Sequence, residues 1–220
     1  MTTRRSAGAS IGVASTKPLT MRRFLTYLAS AEKRLVREGR ALGLPPRFGA
    51  GAIYGCPADF VLRNGRSFRP TEMTAEETAY VLDCVSRANR RFPMKYCYIN
   101  SQRLMFDGDS ERRLSYVEGY CRRAGTHLPG EHGWLALDGK VVDVTWRHEK
   151  PRRRGPLRDS VLGAWSPGEF EYFGVEMDRA YVVERVTARR GWGSMIDDSL
   201  GGWPLLHGDE RWMPAKGRPA

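Results

Sequence analysis

The stretch His132-Gly133-Trp134-Leu135-Ala136-Leu137-Asp138-Gly139-Lys140-Val141-Val142-Asp143-Val144-Thr145-Trp146 decides the reading of this chain. Two apolar, alternating runs, His132 to Leu137 and Lys140 to Trp146, flank Asp138-Gly139. That dipeptide suits a two-residue turn needing left-handed backbone at both positions, so the stretch reads as a β-hairpin. With Asp138 and Gly139 as the turn, Leu137 faces Lys140 and Trp134 faces Asp143. His132 lies two residues from Trp134, on the same side of the sheet. His132 and Asp143 then become diagonal neighbours on one face, within side-chain reach. A carboxylate so placed can hold an imidazole in one tautomer.

Working outward, Ser115 to Tyr120 reads as a further strand, with Tyr116, Glu118 and Tyr120 on one face. Tyr181 to Val186 reads as another, and a short strand is expected at Phe60-Val61-Leu62 before Asn64-Gly65. Upstream the period changes from 2 to 3.6. A helix is expected from Thr20 to Gly43, with Phe24, Leu28, Ala31 and Leu35 on its apolar face and Arg34, Arg37 and Arg40 on the other. Thr74 and Glu77 form a capping-box pattern that opens a helix to about Arg91. Its face carries Val81, Cys84, Val85, Ala88 and Phe92. After Pro93 a second helix opens near Cys97 and places Leu104 and Met105 inward. The fold class is therefore α+β, with helices packed on an antiparallel sheet. Residues 1–19 read as a disordered tail, 20–190 as a single domain, and 191–220 as an extended Trp/Gly/Pro-rich arm. The stretch 147–168 reads as a polar excursion.

The whole chain has 220 residues, which at ~150 residues per domain fits one domain with extensions. No run approaches the ~18 consecutive apolar residues of a membrane helix, so no membrane is expected as partner. Residues 21–31 resemble a signal peptide only faintly and continue into a charged helical pattern. The default is a reduced, cytoplasmic protein. Six Lys and 30 Arg against 25 acidic residues give a net charge of +11. This excess, with Arg clusters such as 152–154, allows a nucleic acid or acidic partner. An ordinary Arg-rich solvated surface is the alternative.

Of the four cysteines, none stands at zinc-ligand spacing. His127, His148 and His207 lack companions. No metal or cofactor is assigned. Cys84 falls on a helix core face, Cys56 in a loop, and Cys121 beside Arg122 and Arg123. Cys97 is the one placed for chemistry. It opens a helix whose positive end, with a nearby imidazolium, favours a thiolate. The thiolate can attack a carbonyl, and His132 can protonate the leaving amine. Backbone N–H groups at the helix start can hold the oxyanion.

A Cys at a helix start, a strand, a His-x-Trp strand, a tight turn and an Asp-x-Thr strand resemble the transglutaminase-like branch of papain-fold cysteine enzymes. The matching pieces are Tyr96 to Ser101, Tyr116 to Tyr120, His132-Gly133-Trp134 and Val142 to Trp146. The sequence is similar, too, to small bacterial and phage proteins with a Tyr-x-Glu-Gly strand before a His-Ala-Trp strand. Segments like Tyr172-Phe173-Gly174 often follow in them. The resemblance covers residues 96–146 well and 170–182 weakly. It implies Cys97 as nucleophile, His132 as acid/base and Asp143 as orienter, acting on a peptide, protein or small amide. The Ala usual after the His is Gly133 here, and the Pro usual after the Asp is Val144. Neither position carries chemistry.

Substrate contacts are expected from Asn100, Glu118 and Trp134. Asn100, one turn after Cys97, faces the same cleft or is a helix-surface amide. Glu118 binds a cationic or amide group, pairs with an arginine, or is exposed. Trp134 is a cleft wall or a core residue. Two functions follow: a cysteine-dependent amide hydrolase or acyltransferase, and a basic binding protein with an idle triad.

Overall fold

The structure is a computed structural model, and it describes residues 20–43, 47–68, 70–93, 95–123, 128–145 and 170–214. The expected tail (1–19), the excursion (147–168), the Arg cluster 152–154, His127, His148 and Trp146 lie outside the described residues.

The elements run α1 (Met21–Ala41), α2 (Pro57–Asn64), β1 (Arg66–Phe68), α3 (Ala75–Ala88), α4 (Cys97–Arg103), a π-helical turn (Leu104–Gly108), β2 (Leu114–Arg123), β3 (Gly130–Leu137), β4 (Lys140–Val142), β5 (Phe170–Met177) and α5 (Arg179–Ala188). The five strands form one antiparallel sheet in the order β1-β5-β2-β3-β4. The α+β class expected from the sequence is the class observed. None of the described helices is long and apolar enough to cross a membrane.

Local chemistry explains the elements that match. The Thr74 hydroxyl accepts from the Glu77 N–H, and the Glu77 carboxylate accepts from the Thr74 N–H. Two otherwise orphaned donors are thereby satisfied at the start of α3. The face expected of α3 is buried: Val81, Cys84, Val85 and Ala88, with Phe92 just beyond its end. In the β3–β4 hairpin, Leu137 pairs with Lys140 and Leu135 with Val142. Asp138 and Gly139 both have positive φ, 51° and 82°, as a mirror-image turn requires.

Three expectations are corrected. Phe60-Val61-Leu62 lies in α2, not in a strand. Pro57 occupies the first turn of that helix, where its missing N–H costs nothing, and the Cys56 sulfur caps the Asp59 N–H. Tyr181 to Val186 lies in α5. There the Asp178 carboxylate caps the N–H groups of Ala180 and Tyr181 and overrides the β-branched run. The strand in this region is β5, just upstream. Third, Leu35 is 58% exposed, because α1 buries Met21, Phe24, Leu25 and Ala29 in its first half and then leaves the core.

The helices cover one face of the sheet, where Tyr116, Tyr120, Leu135, Leu137, Phe173 and Val175 join the main core. The opposite face carries a second apolar cluster of Phe68, Val117, Cys121, Trp134, Ala136, Val141, Phe170 and Tyr172. The described part of the C-terminal arm, 191–214, packs on the domain. Met195, Ile196, Leu205, Leu206 and Trp212 are buried in the main core.

Candidate active site

Period-2 alternation along β3 puts His132, Trp134 and Ala136 on the face of the second cluster. The hairpin register carries Asp143 opposite Trp134, one residue past the end of β4. Imidazole Nε2–H donates to Asp143 Oδ2 at 2.7 Å, and both side chains are buried. The carboxylate is fixed from other sides as well. Tyr172 OH donates to the same Oδ2 at 3.0 Å, and the Thr145 N–H donates to Oδ1 at 2.9 Å. Trp134 lies nearly parallel to the imidazole, with centroids 6.2 Å apart and planes at 17°. Buried polar groups this fully satisfied hold one geometry.

Cys97 comes from α4, which packs on β3. Gly133, the neighbour of His132, makes the approach possible. A Cβ at that position would lie 2.7 Å from the Tyr98 ring and 3.2 Å from the Tyr98 Cα. Ser101 Oγ donates to the Gly133 carbonyl at 3.0 Å. Asn100 Nδ2 donates to the Pro93 carbonyl at 2.8 Å and to Thr145 Oγ1 at 2.9 Å. These bonds tie α4 at once to the segment before it and to the turn that holds Asp143. Cys97 is close enough to the His132 side chain to raise its pKa, after Asp143.

Burial is the largest single influence on the imidazole and pushes its pKa down. The Asp143 charge and hydrogen bond, with the Cys97 contact, outweigh it and hold His132 up at about 9. The other three thiols differ from Cys97 in exposure. Cys56, Cys84 and Cys121 are buried, and burial raises the pKa of each; Cys97 is half-buried. They are poor candidates for a thiolate.

Of the expected substrate contacts, Asn100 is buried in the hydrogen bonds just described, and Trp134 is fully buried behind the imidazole. The Glu118 carboxylate points into the protein. It accepts from the N–H groups of Met195 and Ile196 at 2.7 and 3.1 Å, from Tyr116 OH at 2.9 Å, and from the Ser194 hydroxyl. It is the buried post to which the C-terminal arm is fastened. Three further residues hold the site without a sequence signal of that role: Tyr172, Thr145 and Ser101. Tyr172 stands in a Tyr-Phe-Gly segment, and no local pattern pairs it with Asp143.

Burial raises the Glu118 pKa from 4.5 to about 7, against the opposing pull of its hydrogen-bond donors. A carboxyl whose folded pKa lies above its unfolded value binds more protons in the native state. Its contribution is full below about 4.5 and is lost as pH rises through 7. Unfolding free energy should therefore fall across this window, by up to roughly 3 kcal/mol. Urea melts of Glu118→Gln at several pH values should show this part of the slope flattened. An unchanged slope would mean that Glu118 does not titrate as its burial implies.

Compared with known proteins, the chain matches no family model, no curated protein and no solved structure.

Proposed function

We propose that this protein is a cysteine-dependent enzyme that acts on an amide through a thioester intermediate, with Cys97, His132 and Asp143 as its triad. One observation carries the reading. The buried His132 imidazole is hydrogen-bonded to a buried carboxylate, and its pKa is raised also by Cys97, the half-buried cysteine among three buried ones. An isolated structural histidine needs neither partner.

The chemistry follows from the geometry. His132, held as imidazolium near neutral pH, stabilises the Cys97 thiolate, which attacks the amide carbon. Tyr96 provides no side-chain cap to α4, so the first-turn N–H groups can donate to the oxyanion. As the tetrahedral adduct collapses, the C–N bond breaks and the imidazolium gives its proton to the leaving amine. Asp143 stays ionised and keeps Nε2–H oriented. Water then resolves the thioester, with His132 as base, and releases the acid. An amine in place of water would give acyl transfer. Hydrolysis is the broader default, covering peptidase, amidase and deamidase chemistry.

The same elements support a papain-like, transglutaminase-like core: a Cys-bearing helix laid on an antiparallel sheet, then His and Asp on successive strands joined by a tight turn. Peptide, protein and small amides fit as substrates. The test is covalent trapping with a thiol-directed acylating probe, read by intact mass. The native protein should gain one adduct, on Cys97, and Cys97→Ala none.

A further inference from the structure

A cavity of about 570 Å³ lies between the second half of α1 and the 47–55 loop, and it shares no lining residue with the triad. Its volume is that of a small-molecule site. Lys33, Arg37 and Arg40 line it from α1 at helical spacing, and Arg47 faces them from the loop. Lys33 is 3.6 Å from Asp59 and Arg47 is 3.6 Å from Glu32. Arg37 and Arg40 form no ion pair among the described residues. Two adjacent guanidiniums on one helix face repel each other, and an anion between them would relieve that repulsion.

The loop wall is preformed. The Ile53 and Tyr54 N–H groups donate to the Leu206 carbonyl, His207 Nε2 donates to the Phe48 carbonyl at 2.8 Å, and Phe48 packs edge-on against Trp203. Gly49 and Gly51 have φ of 80° and 88°, so bare backbone forms part of this wall. The N–H groups of Gly49, Ala50 and Gly51 have no hydrogen-bond acceptor among the described residues. Val36, Ala52 and Tyr54 add an apolar surface beside the cations.

We propose that this cleft binds a nucleotide-type phosphate, its phosphates on Lys33, Arg37, Arg40 and Arg47 and its base and sugar against Val36, Ala52 and Tyr54. The phosphate is carried by a free nucleotide or by a single-stranded nucleic acid. A bare inorganic anion would leave the apolar part unused. The site is independent of the triad and stands whether or not Cys97 is a nucleophile.

The test is fluorescence anisotropy on the full chain with a fluorescent ATP analogue and with a labelled single-stranded DNA of roughly 12 nucleotides. Salt would be varied from about 50 to 200 mM. Arg37→Glu/Arg40→Glu is compared with Arg91→Glu/Arg112→Glu, which removes the same charge from other exposed arginines. The cleft variant should weaken binding by at least about 10-fold and the control variant by much less. Thermal melts confirm folding, and Arg37→Gln/Arg40→Gln serves if charge reversal unfolds α1. ATP binding that the oligonucleotide does not exceed assigns the site to a free nucleotide. Tighter, steeply salt-dependent oligonucleotide binding assigns it to a strand. Binding of neither probe at low salt, or equal loss in both double variants, would overturn the proposal.

Discussion

Replacing Cys97 with serine is expected to cut amide turnover by roughly 10³-fold or more while the protein stays folded. The change is nearly isosteric and the position is only half-buried, so thermal stability should stay within about 1 kcal/mol of native. The hydroxyl is a far poorer partner for His132 than the thiol, because a thiolate forms near neutral pH and an alkoxide does not. Asp143→Asn gives the companion result. The His132 ring, Tyr172 OH and the Thr145 N–H all donate to the carboxylate. An amide must turn its own NH₂ toward one of them, which costs about 1–3 kcal/mol and misorients the imidazole. Activity should fall, though by less than on loss of the nucleophile. The measurements are thermal melts and an ammonia-release or amide-cleavage assay on the three proteins. If Cys97→Ser unfolds the chain and Asp143→Asn changes nothing, Cys97 is a core residue.

The second large effect is structural. Trp134→Ala should cost about 3–5 kcal/mol, read as a shift of the urea midpoint. The indole is fully buried. It meets Phe68 and Tyr172 edge-on at 5.6 and 5.2 Å and backs the imidazole. Gly174 makes room for it, since a Cβ there would come 2.5 Å from the ring. The alanine variant leaves a cavity behind His132, so activity should fall with stability. Trp134→Phe should cost much less. It keeps an aromatic behind the imidazole and removes an indole N–H that has no hydrogen-bond partner among the described residues. A phenylalanine variant as unstable as the alanine one would show that aromatic packing is not what Trp134 supplies.

Local rules make some of this molecule legible and hide the rest. The Asp138-Gly139 turn dictates a register, and the register dictates which side chains share a face. The His132–Asp143 bond therefore follows from the hairpin sequence alone. The Thr74/Glu77 cap likewise marks the start of α3. By contrast, α2 starts at Cys56-Pro57 inside a Gly- and Pro-rich stretch, and its cap is a sulfur rather than a usual oxygen. The sequence Tyr181-Val182-Val183 has strand propensity, and one aspartate upstream decides for a helix. Tyr172 reaches Asp143 only because β5 pairs with β2 rather than with its neighbour in sequence, β4. Glu118 is visible in the sequence as an acid between tyrosines. Its fastening of residues 194–196 depends on a contact across more than 70 residues that no short-range pattern encodes.

The central claim is that His132 activates Cys97. Site-resolved mass spectrometry of acylation rates tests it most directly, on native protein and on His132→Ala, with all four cysteines followed separately near neutral pH. The account predicts that Cys97 acylates far faster than Cys56, Cys84 and Cys121, and that the advantage collapses in His132→Ala. Faster modification of Cys56 or Cys121 in the folded protein, or a Cys97 rate indifferent to His132, would contradict it.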